Sequence, residues 1–194
     1  MQKHLFLTGP TGSGKSALLR RALGIRLDQA GGFVTEATWS VSGELTGFTL
    51  SPAAAACGSS SYPAELFLDC RCFPPRTDNE VFRRTGVRLL REAVWYPYVL
   101  LDEFGGFELI LPEFRSALME LLSSDRPIIG ALRREEEAEA LRRALGLGEK
   151  YSRISRQLRD FLSQNENTLL VQTDGTEKAA AQDAVLHWIR EYLE

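Results

Sequence analysis

Gly9-Pro10-Thr11-Gly12-Ser13-Gly14-Lys15-Ser16 stands between the apolar run Leu5-Phe6-Leu7 and the stretch Ala17-Leu18-Leu19-Arg20-Arg21-Ala22-Leu23. The first flank is short, apolar and bounded by glycine, as a buried parallel strand is. The second has the composition of a helix. Strand, glycine loop and helix in that order form the context in which Gly-x-x-x-x-Gly-Lys-Ser is a phosphate cradle rather than a chance turn. The glycines permit backbone angles and close approaches that a Cβ blocks. Successive backbone N–H groups then converge on phosphate oxygens at the positive end of the following helix. The loop residues Gly9, Pro10, Thr11, Gly12, Ser13, Gly14, Lys15 and Ser16 are therefore expected to bind a nucleotide. Within them Lys15 reaches the β- and γ-phosphates as a catalytic cation, and the Ser16 hydroxyl ligates Mg²⁺.

Downstream, strand and helix patterns alternate. Gly32 to Ser40 and Glu44 to Leu50 flank Val41-Ser42-Gly43, which predicts a β-hairpin. Ser51 to Pro63, rich in Ala, Ser and Gly, reads as a loose connection, and Ala64 to Asp69 as a third antiparallel strand. Asn79 to Val94 has helical spacing in Val81, Phe82, Leu89, Leu90 and Val94. Buried strands are predicted at Tyr98 to Leu101, Pro127 to Leu132 and Thr168 to Thr173, with helices at Glu113 to Ser123, Arg134 to Leu145 and Lys178 to Leu193. The fold class that follows is α/β: a mostly parallel sheet flanked by helices, with an antiparallel hairpin inserted at about residues 32–70. A chain of 194 residues without repeat or linker is expected to form a single domain over 1–194.

A strand ending in Asp102-Glu103 is the natural partner of the glycine loop, because open α/β sheets bind ligands beyond their strands' C-terminal ends. Asp102 is expected to hold Mg²⁺ with Ser16. Glu103, one residue on, is expected to orient or deprotonate the water that attacks the γ-phosphorus. Arginines beyond the third buried strand, Arg133 and Arg134, and Arg153, Arg156 and Arg159, share one helical spacing or strand end. Each has a solvated helix surface as its default reading. Arg133 is the chosen transition-state cation, since the strand before it ends on the ligand side.

Composition narrows the partners. A net charge of −3 supplies no basic field for nucleic acid. No apolar run is long enough to span a bilayer, and a loop starting at Gly9 is expected to leave no room for a removable leader. A cytoplasmic monomer is expected. Cys57, Cys70 and Cys72, with His4 before the first strand and His187 in the last helix, complete no ligand spacing and read as structural. Trp39 on the hairpin reads as packing on the sheet rather than stacking on a base.

Gly32-Phe33-Val34-Thr35-Glu36, Gly47-Phe48, Leu101-Asp102-Glu103-Phe104-Gly105-Gly106-Phe107-Glu108-Leu109, Phe114, Ser124-Asp125-Arg126-Pro127 and Leu169 to Thr173 run in order along the chain. Together with the glycine loop they resemble the thermophile-type nucleoside-triphosphatase family (the cancer-related nucleoside-triphosphatase group) of P-loop NTPases. The resemblance implies a RecA-like domain that hydrolyses several nucleoside triphosphates, ATP and GTP among them, to diphosphate and phosphate with Mg²⁺. It also implies places for Glu36 and Glu108 in the metal or water shell. Two stretches depart from the family's pattern. Around 71–92 only Arg84-Thr85-Gly86-Val87 remains of a segment rich in Gly, Arg and Tyr, and Asp174-Gly175-Thr176-Glu177-Lys178 replaces an Asn-Arg pair near the base pocket. Two other functions share this loop: a nucleotide or small-molecule kinase, whose arginine-rich lid residues 133–159 could supply, and a nucleotide-dependent switch acting on a protein or nucleic-acid partner.

Overall fold

The computed structural model describes residues 2–57, 63–174 and 178–194, without the side chain of Cys57. Eight strands form one sheet: β1 (His4–Thr8), β2 (Ala30–Trp39), β3 (Leu45–Pro52), β4 (Glu65–Asp69), β5 (Arg76–Thr77), β6 (Tyr98–Phe104), β7 (Ile128–Leu132) and β8 (Thr168–Gln172). Their order is β5-β4-β3-β2-β6-β7-β1-β8. From β2 to β8 every neighbour pairs in parallel, and from β2 to β5 every neighbour pairs antiparallel. The fold is thus α/β with a mixed, mostly parallel sheet. The hairpin is continuous with that sheet: Ala30 to Val34 pair with β6, and the same strand runs on to pair with β3.

Alternation along the parallel strands divides the core into two layers. Leu5 and Leu7, Tyr98 and Leu100, and Ile129 and Ala131 pack under α1 (Lys15–Leu23) and α7 (Lys178–Tyr192), with Leu19, Leu23, Val185 and Trp188 opposite them. Phe6, Val99, Leu101, Ile128 and Leu132 pack on the other face. That face is covered by α3 (Val87–Glu92), α4 (Pro112–Leu122) and α6 (Glu149–Gln164) through Leu89, Phe114, Leu118, Ile154 and Leu162. Both faces are covered, which is why the parallel strands are apolar runs rather than alternating ones. α5 (Glu135–Ala144) lies over α6, with Ala138 as its one fully buried residue.

Several expectations are corrected in detail. The segment after β3 is a 3-10 turn at Ala53–Cys57 rather than a loose connection, and residues 58–62 of that stretch lie outside the description. The helix expected over 79–94 is present but changes its winding: α2 (Asn79–Val81) passes through a π turn at Phe82–Gly86 into α3. The π turn brings Phe82 onto Phe107 and Phe114 at ring separations of 5.6 and 5.2 Å, edge to face. α6 carries an apolar stripe of Tyr151, Ile154, Leu158 and Leu162 at helical spacing. His4 is the first residue of β1 and is buried, not upstream of it. Trp39 is 62% exposed, so it does not pack on the sheet.

Candidate active site

The loop between β1 and α1 closes over the C-terminal edge of the sheet. Gly12 (φ 78°) and Gly14 (φ 93°) adopt left-handed angles that glycine takes without cost. A Cβ on Gly9 would lie 2.2 Å from Thr173 Oγ1, so only glycine fits there. Thr173 ties the loop to the end of β8. Its N–H and hydroxyl donate to the Thr8 carbonyl at 2.8 and 3.2 Å, and it shares a 2.9 Å hydrogen bond with Ser13 Oγ. Pro10 has no N–H to offer a phosphate. Instead its carbonyl accepts from Ser13 N–H at 3.0 Å and from Lys15 Nζ at 2.9 Å. Lys15 Nζ also donates to the Gly9 carbonyl at 2.7 Å. Burial pushes the Lys15 ammonium below the usual lysine pKa, against the pull of Glu137, Glu103 and Asp102.

β6 delivers the acidic pair. In a regular strand, neighbouring side chains point to opposite faces. Here the β6–β7 register shifts between Leu101 and Phe104, and Glu103 takes a left-handed φ of 63°. The bulge re-aims the strand end so that both carboxylates serve one edge. Asp102 is fully buried; its Oδ1 accepts the Ser16 hydroxyl at 2.6 Å, and its Oδ2 meets Arg20 Nη2 at 3.1 Å. Burial raises the Asp102 carboxyl above the ordinary aspartate pKa, with Ser16 and Arg20 opposing. Arg20 is itself partly buried, yet Asp102 and Glu36 outweigh that and hold it above its ordinary value. The aspartate is the more deeply buried, so its desolvation is the larger effect. Glu36 lies beyond Arg20 and hydrogen-bonds Nη1, which chains the P-loop helix to β2.

Glu103 Oε1 lies 3.2 Å from Arg133 Nη2, just past β7. Arg133 is placed by the backbone: its N–H donates to the Phe104 carbonyl at 2.9 Å, and its carbonyl accepts Arg159 Nη2 at 2.9 Å. Its Nε is buried without a partner. Arg134 turns away to Glu136 and Asp174, while Arg153 and Arg156 stay on the surface.

Glu108 does not join Ser16 and Asp102. Its carboxylate is buried and accepts the N–H groups of Gly105 and Gly106 at 2.8 and 2.7 Å, bracing the turn after β6. Tyr151 holds the same turn by donating to the Gly105 carbonyl at 2.9 Å. Among the described residues no three His, Cys, Asp or Glu side chains gather as ligands. The hydroxyl and carboxylate of Ser16 and Asp102 are hard oxygen donors. Such a sparse set suits Mg²⁺, which keeps waters and takes the rest of its shell from phosphates. Arg20, Thr173 and Glu137 were not foreseen, because their contacts join residues far apart in the chain.

A family model described as NTPase matches residues 4–166, from β1 through α6 and so across the glycine loop, the acidic pair and Arg133, though not Thr173. The chain belongs to the NTPase family. The fold of the chain is also that of THEP1 from the hyperthermophile Aquifex aeolicus, a crystal structure superposing with a TM-score of 0.63 over 95% of this chain and 97% of that one. Identity between the two is 16%, so the likeness concerns fold. No curated protein matches the chain. No helix among the described residues is long and apolar enough to cross a membrane.

Proposed function

We propose that this NTPase is a single-domain, Mg²⁺-dependent phosphohydrolase that converts nucleoside triphosphates and water to diphosphates and phosphate. The 2.6 Å contact between Ser16 and Asp102 carries the reading, because it joins the phosphate loop to the acid strand at the point where a metal is needed. Mg²⁺ held by these two residues would neutralise charge on the β- and γ-phosphates. Lys15, released from the Gly9 and Pro10 carbonyls, pairs with the phosphoryl oxygens. Glu103 aligns the attacking water and accepts its proton as the new P–O bond forms and the β–γ bridge oxygen leaves with the diphosphate. Arg133 pairs with Glu103 and, once the nucleotide is in place, supplies the positive charge that the transition state needs.

The nucleoside fits a cleft of about 370 Å³ between the loop and the start of α7, lined by Ser13, Gly14, Arg21, Thr173, Lys178 and Gln182. Among the described residues no aromatic side chain lines it, and long flexible polar chains adapt to different rings. That supports broad base tolerance in a cytoplasmic, monomeric enzyme. Free phosphate measured with ATP, GTP, CTP and UTP tests the reading. Release from all four, abolished by chelating Mg²⁺, is expected. Transfer to an added acceptor without release to water would overturn it in favour of a kinase.

A further inference from the structure

α5 opens on three consecutive acids, Glu135, Glu136 and Glu137. Acids in a first turn suit the helix dipole, yet the three differ in what they meet. Glu135 faces Arg156 at 3.8 Å, and Glu136 takes Arg134 Nε at 2.8 Å, both on the surface. Glu137 turns inward across the edge of the sheet, and its Oε1 accepts the backbone N–H of Thr11 in the phosphate loop. A glutamate at the third helical position ordinarily reaches back to its own helix's first amide. This one instead serves a loop 126 residues away. Its second oxygen, Oε2, is buried with no donor.

A loop amide that could face a phosphoryl oxygen is therefore already given to a carboxylate of the same chain. A carboxylate offers such a nest the same negative charge and the same acceptor oxygens. Lys15 senses it too: of the charges acting on that ammonium, Glu137 is the largest, ahead of Glu103 and Asp102. We propose that Glu137 is a built-in competitor for the phosphate loop, which the incoming phosphates must displace before they can occupy it. The proposal rests on reading the loop as the triphosphate site.

Two consequences follow from the geometry. The competitor is imperfectly satisfied, since a buried oxygen without a donor disfavours the plugged state, so a polyphosphate that uses the whole nest can evict it. Eviction frees a side chain in the first turn of α5, which Arg134 alone separates along the chain from Arg133, the partner of Glu103.

Equilibrium binding of ADP and of inorganic pyrophosphate, by titration calorimetry without turnover, tests the idea. A seat held by Glu137 in about nine molecules of ten weakens apparent binding about tenfold, so Glu137→Ala is expected to bind both ligands about tenfold more tightly. Glu137→Gln, which keeps the shape but loses the charge, should gain part of that. Glu135→Gln removes the same charge nearby without touching the loop and should leave affinity unchanged. A gain in affinity cannot come from misfolding. Equal or weaker binding by Glu137→Ala overturns the proposal, as does an equal gain in Glu135→Gln. A parent that binds pyrophosphate but releases no phosphate from triphosphates contradicts the hydrolase reading and leaves this inference intact.

Discussion

Glu103 sits at a left-handed φ of 63° that costs a non-glycine residue about 1–3 kcal/mol. It is held there by the bulge in β6 and by Arg133. Backbone strain of this kind, at a carboxylate beside a phosphate loop, is where a reactive group is expected to be over-determined by its surroundings. Glu108, five residues on, shows the opposite use of a carboxylate. Burial raises its pKa above the ordinary glutamate value, against the N–H groups that brace it. The folded state thus binds a proton more tightly than the unfolded chain between the ordinary and the raised value. Stability from this group is present at low pH and is lost as pH rises through that window. Glu108→Gln removes the effect. Thermal melting followed from pH 5 to pH 8 should show the variant-minus-parent difference in Tm growing more positive with pH. A difference independent of pH would contradict the buried-charge account.

At the scale of elements, the close approach of β6 and β7 positions the acidic pair. A Cβ on Gly130 would lie 2.2 Å from the Leu101 carbonyl oxygen, in the ladder just before Asp102. Gly130→Ala must push these strands apart, and overpacking of this kind costs about 1–3 kcal/mol. For a chain of this size that is some 2–4 °C in Tm per kcal/mol. We expect both a lower Tm and weaker phosphate release, because the displaced strand carries Asp102; a variant melting and turning over like the parent would show that the strand spacing is not critical. The positions of β1, β6 and β7 could be read from their apolar runs, since each is buried on both faces, whereas β8 shows such a run at the sheet edge with Leu169 exposed. α6 is legible in the helical spacing of Tyr151, Ile154, Leu158 and Leu162, whereas its arginines mark only the polar face. The π turn at Phe82–Gly86 had no such signal: helical spacing continues through it, and only the packing of Phe82 against Phe107 and Phe114 requires it.

Across the whole molecule, the strand order places β7 between the strand that bears the loop and the strand that bears the acids. Sequence proximity hides this arrangement, yet the loop motif and the Asp102-Glu103 strand end were enough to pair them, because both belong at the C-terminal edge of a parallel sheet. What joins the edge laterally was not visible along the chain. Arg20 reaches Asp102, Thr173 locks Gly9 and Ser13, and Glu137 crosses to Thr11, each through contacts that exist only after the sheet is assembled. Trp39 was misread for a related reason: a strand pattern says which residues alternate, not whether anything covers the end of the hairpin. In the proposed reading the glycine loop, the Ser16–Asp102 pair and Glu103 form one hydrolytic site. It is tested most directly by measuring nucleotide affinity and phosphate release together for Glu103→Gln, with Arg133→Gln alongside. The account predicts parent-like affinity with turnover reduced about 10²-fold or more in Glu103→Gln, and a lower rate with nucleotide still bound in Arg133→Gln. Hydrolysis by Glu103→Gln at the parent rate would contradict it.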